Sequence, residues 1–142
     1  MVTRMVDLPI PQRLLQQRVR NGIMDYLELA SSADNQRAYE RRVPIAQVPN
    51  ELINQWEDWV REDDLGWYGA PVFSRDENEA IRAFHKVWQT VAEATPEPMP
   101  HTIEALIGTP IWVCLMDAAR TALVIFEKRG RFDQDVVHAF DH

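Results

Sequence analysis

Residues 109–130, TPIWVCLMDAARTALVIFEKRG, restrict the fold more than any other part of this sequence. Thr109 is placed to cap a helix whose first residue is Pro110, where the missing N–H leaves nothing unsatisfied. Gly130, directly after Glu127, Lys128 and Arg129, supplies the left-handed residue that ends such a helix. Only Asp117, Arg120 and Thr121 interrupt the apolar run between these two signals. A helix apolar on nearly every side has to be enclosed by protein or by lipid. Residues 111–126 fall short of the roughly 20 apolar residues of a membrane span and carry two charges at their centre. The expectation is a buried helix near 110–129 around which the rest of the chain packs.

The remaining apolar residues recur at steps of three and four. Leu15, Val19, Ile23, Tyr26, Leu27 and Ala30 form one such stripe after Pro11. Gly22 inside it either weakens the helix locally or permits a close approach. Asp34–Arg42 reads as a short polar helix, with Ser31 and Ser32 as a break or kink before it. VPIAQV at 43–48 is an extended connector. Pro49 opens a helix bearing Leu52, Ile53, Trp56, Trp59 and Val60. After it comes a loop in which Gly66, Gly69 and Pro71 interrupt regular structure. Ser74 and Glu77 form a capping box ahead of the stripe Ala80, Ile81, Phe84, Val87, Trp88 and Val91. The prolines of TPEPMP end that helix, and 102–107 holds a short helical turn.

No segment alternates with a two-residue period. The chain therefore reads as all-α: one single-domain helical bundle, 1–142, with four main helices and two or three short ones. Residues 1–9 are expected as a loose tail, and 131–142 as a loose tail or one further short helix.

The 142 residues suffice for one core. A formal net charge of −7 argues against general nucleic-acid binding and against an anionic membrane surface. The single cysteine, Cys114, cannot close an internal disulfide and is expected as a buried thiol, in keeping with a cytoplasmic location. The N-terminal stretch lacks the apolar core and cleavage site of a signal peptide. Charge is uneven: residues 50–104 hold four basic and twelve acidic side chains, whereas 1–42 hold seven and five. Such asymmetry suits a partner surface or a homodimer with complementary faces.

Three groups of residues merit attention as sites. Glu57, Asp58, Glu62, Asp63 and Asp64 form the densest acidic patch and adjoin Trp67 and Tyr68 in a glycine-flanked loop. Aromatics ringed by carboxylates suit an interface with a basic partner. Asp117 and Arg120, one turn apart on the apolar helix, are expected as a buried pair that fixes packing or, with His85, lines a polar ligand pocket. His138 and His142 share a helical spacing able to chelate a metal, but the sequence fixes no third ligand, so no metal site is assigned. No Glu-x-x-His, His-Glu-x-x-His, Cys-x-x-Cys, phosphate-binding glycine loop or nucleophile elbow occurs, and no cofactor is implied. The leading expectation is a small acidic helical protein that binds another protein, in a regulatory or immunity-type role, or that self-associates, with no chemistry of its own. The alternative is a helical-bundle enzyme or small-ligand binder with its site around Asp117, Arg120 and His85.

Overall fold

The computed structural model describes residues 10–140, and no β-strand occurs among them. Helix α1 covers Gln12–Ala30, α2 Ala33–Arg42 and α3 Val48–Trp59. A 3-10 turn at Glu62–Trp67 leads to α4 (Arg75–Ala94), α5 (Glu104–Ile107) and α6 (Pro110–Glu127). The all-α expectation holds. The capping box is complete, with the Ser74 hydroxyl accepting from the Glu77 N–H and the Glu77 carboxylate from the Ser74 N–H. Ser32 caps α2 through Asn35, so α1 and α2 are two helices rather than one kinked one. Gly130 adopts φ 72° at the end of α6, the conformation its position requires.

The architecture departs from expectation in which helix is enclosed. α1 packs against α6, α3 and α2, while α6 lies between α1 and α4. On α6, Val113, Cys114, Asp117, Arg120 and Val124 form an exposed face. On α1 the buried set includes Gln16, Gln17, Arg20 and Asn21 beside Ile23, Met24 and Leu27. The helix at the centre is thus the polar one. Its polar groups are tolerated because each meets a partner, which removes most of the desolvation penalty.

Aromatic packing fills the space between α1, α3 and α4. Tyr26, Trp56 and Phe84 meet with ring centroids 4.6–6.1 Å apart. The polar tips are all engaged: Tyr26 donates to the Leu52 carbonyl, Trp88 to the Ile53 carbonyl and Trp112 to Gln36. Gly22 resolves in favour of close approach. A Cβ there would lie 2.7 Å from the Trp59 ring, so the missing side chain is what lets Trp59 lie flat on α1.

Residues 131–140 are neither helical nor loose. They form a strap, bent at 134–136 where Asp133 Oδ1 accepts from the Asp135 and Val136 N–H groups, that is bonded to the side chains of α1. Gln17 donates to the Asp133 and Val136 carbonyls and accepts from the His138 N–H. Asn21 exchanges a pair of bonds with the Phe132 backbone. Primary amides each offer a donor and an acceptor, so two of them on one helix face can satisfy the backbone N–H and C=O groups of a non-helical segment. Phe132, His138 and Phe140 pack on one another. His138 therefore sits on non-helical chain, and His142 lies outside the described residues.

Candidate partner-binding groove

A cleft of about 470 Å³ opens between α1 and the segment 58–68. Leu15 and Val19 of α1 form one wall; Trp59, Trp67 and Tyr68 form the aromatic floor; Asp58, Arg61, Asp63 and Asp64 stand around it. The fold holds these residues in place through specific bonds. Tyr68 is buried, and its hydroxyl donates to the Trp59 carbonyl and accepts from the Arg61 N–H, closing the end of α3 onto the turn. Burial pushes this phenol above its ordinary pKa. Gln16 donates to the Trp67 carbonyl from α1, and Asn78 donates to the Leu65 and Tyr68 carbonyls from α4. Trp67 meets Tyr68 edge-on, and Tyr68 in turn meets Phe73. The groove is a rigid surface built on a turn whose backbone is bonded from both sides.

Of the seven residues expected at a partner surface, Asp58, Asp63, Asp64, Trp67 and Tyr68 converge on this cleft. Glu57 is exposed but does not line it. Glu62 turns the other way, towards His85, with 3.8 Å between Oε1 and Nε2. Arg61 lies 3.7 Å from Asp63, so three carboxylates stand against one guanidinium at the rim.

Asp117 and Arg120 are bonded to each other at 3.0 Å, yet their side chains are 65% and 60% exposed. The buried pair expected from the sequence is a surface pair. Arg120 also donates to the Ser31 carbonyl at the α1–α2 junction. His85 is buried elsewhere: its Nδ1 accepts from Trp56, which places the ring hydrogen on Nε2, and the ring lies beside Trp88. Among the described residues Nε2 has no hydrogen-bond partner. The cleft that Asp117 lines includes neither Arg120 nor His85. Cys114 is likewise exposed rather than buried. Asp117, Arg120 and Cys114 are exposed because the other helices leave one face of α6 uncovered, whereas His85 belongs to the buried face of α4.

One buried polar cluster escaped the sequence reading. Glu77 of α4 is 1% exposed and accepts five hydrogen bonds. Arg20, 0% exposed, contributes two in a fork; Arg129 contributes two more; the Ser74 N–H gives the fifth. Arg20 also donates to the carbonyls of Phe126 and Gly130 and lies 4.2 Å from the Phe132 ring centroid. Desolvation alone would raise the Glu77 pKa, but the two guanidiniums outweigh it and hold the carboxyl below the usual range. With its carboxylate fully engaged, the cluster ties α1, α4, the end of α6 and the strap together. A signal was present, since Arg20 shares the helical phase of Ile23, Met24 and Leu27.

The fold and this groove define an all-α protein with an acid-rimmed aromatic cleft. No family model, curated protein or solved structure matches the chain. Among the described residues no group of three or more His, Cys, Asp and Glu side chains is arranged to hold a metal ion, and no helix is long and apolar enough to cross a membrane.

Proposed function

We propose that this protein acts by binding another protein, taking a basic segment of it into the groove between α1 and residues 58–68. The observation that supports this reading is the convergence of Trp59 and Trp67 with Asp58, Asp63 and Asp64 on one preformed cleft. An arginine or lysine head laid on an indole face gains about 0.5–1 kcal/mol in the open and about 2 kcal/mol or more when desolvated. The carboxylates at the rim then meet the charge, while Leu15 and Val19 cover the aliphatic stem. A groove held rigid by Tyr68, Gln16 and Asn78 keeps the ordering cost of binding low. The role is that of a regulatory or immunity-type protein whose acidic surface masks a basic one.

Titration with an arginine-rich peptide, followed by tryptophan fluorescence and calorimetry, tests the reading. Binding is expected at low ionic strength, weakening steadily as salt screens the rim. Trp67→Ala and a combined Asp58→Asn, Asp63→Asn, Asp64→Asn variant should each lose it. Unchanged binding in the triple variant, or none by the parent protein at low salt, would remove the groove from consideration.

A further inference from the structure

The outward stripe of α6 consists of Val113, Asp117, Arg120 and Val124, spaced four, three and four residues apart and therefore aligned along the helix. Its valines are 41% and 54% exposed, and the two charges between them are also mostly exposed. From either end the stripe runs valine, charge, charge, valine, and its two charges are opposite. We infer that this face is where two copies of the chain pair, α6 against α6, in antiparallel orientation.

Charge complementarity selects both the occupant and its direction. With a two-fold axis passing midway between positions 117 and 120, Asp117 faces the partner's Arg120 and Val113 faces the partner's Val124. The same contact is made twice, as an isologous interface requires, and it closes at a dimer. A parallel arrangement would set Asp117 against the partner's Asp117 and is disfavoured by like-charge repulsion. Arg120 engages Oδ1 of Asp117 within the chain, and among the described residues no hydrogen bond reaches Oδ2. That oxygen points the way to a ring of four alternating charges across the axis.

The surroundings suit the approach of a second helix. Beside the stripe, α4 and α6 enclose an apolar cleft of about 410 Å³ whose walls include Ala80, Ala83, Ala118 and Ala122. It adjoins a shallower depression over Val113, Cys114 and Asp117, the two sharing Ala118 and Thr121. Small side chains on both walls allow close contact, and ridges of the partner helix have a place to go. A contact centred on one helix pair is modest in area, so the dimer is expected to form reversibly with concentration.

Sedimentation equilibrium up to about 1 mM protein reads the association directly. The parent chain should move from monomer mass towards twice that mass. Asp117→Arg and Val124→Glu should each weaken the dimer by about tenfold or more, with helix content and melting temperature unchanged because both positions are exposed. The exchange Asp117→Arg with Arg120→Asp restores opposite charges across the axis and should recover dimerisation. Cys114 gives an independent readout, as its reaction with a bulky thiol reagent should slow as the parent protein is concentrated. A parent chain that stays monomeric throughout overturns the inference. So does an Asp117→Arg variant that dimerises like the parent, or an exchange variant that recovers nothing.

Discussion

Replacing Glu77 by glutamine separates a brace from a bystander. The substitution is nearly isosteric, but it exchanges one acceptor oxygen for an NH2 group facing guanidinium donors. Arg20, with no exposed surface, would then be a buried cation without its counterion. Removing one partner of a buried pair costs about 3–5 kcal/mol. Arg129 adds little to this, since its side chain is 31% exposed and can turn to water. For a domain of this size such a loss corresponds to a fall in melting temperature of about 10–20 °C. The assay is thermal and urea unfolding followed by far-ultraviolet circular dichroism, with Arg20→Met and the Arg20→Met, Glu77→Leu pair alongside. The pair should cost less than the sum of its singles, because it leaves neither charge stranded. The pH dependence follows from the lowered Glu77 pKa. Its contribution to stability is present above the ordinary carboxylate range and disappears as pH falls through the depressed folded-state value. The parent protein should therefore lose stability more steeply with acid than Glu77→Gln does. A Glu77→Gln variant within about 1 kcal/mol of the parent, with the same acid slope, would refute this account of the cluster.

Other outcomes follow from particular contacts. Gly22→Ala gains about 1 kcal/mol of helix propensity but sets a methyl group 2.7 Å from the Trp59 ring, so net destabilisation with altered tryptophan emission is expected in melting and fluorescence scans. Gln17→Ala strands the bonds that hold the strap, and hydrogen exchange at 133–138 should accelerate well before the helices are affected. All three tyrosines have raised pKa values: Tyr26 and Tyr68 chiefly by burial, Tyr39 chiefly by its bond to Glu51. The folded chain should resist phenol ionisation at about pH 10, where the unfolded chain ionises, so stability should fall as pH rises from there. A full phenolate signal at 295 nm from folded protein at that pH would contradict the tyrosine environments.

The helices were legible because their signals are local. Pro110 and Gly130 delimit α6, Ser74 and Glu77 start α4, and the three-and-four spacing marks the buried faces of α1, α3 and α4. The groove was legible in part, since residues 58–68 are contiguous and a turn brings them together; Leu15 and Val19 come from another helix and were read only as core. What local pattern could not supply was the partner of each polar group. Arg20 finds Glu77 at a separation of 57 residues, and Gln17 finds residues 133–138 across more than 110. Without those partners α1 looks like an ordinary amphipathic helix and α6 looks like the only candidate for the centre. The apolar content of α6 is likewise ambiguous by itself, because apolar residues signal burial only when enough neighbours exist to cover every face.

The strap bears on how the chain folds as it is made. α1 emerges early, carrying four polar side chains that have no partners among the residues just behind it. Gln16 waits for residue 67, Arg20 for Glu77 and then for the end of α6, and Gln17 and Asn21 for residues 132–138. Bonds spanning more than 110 residues form late, because the loop they close must first exist. Once Trp67 and Glu77 have emerged, Gln16 and Arg20 can be met, but the Gln17 and Asn21 amides stay uncompensated until residues 132–138 follow, so that side of α1 is completed last. α1 is in this sense fastened from far downstream, and a segment more than 110 residues away supplies the last of its surroundings.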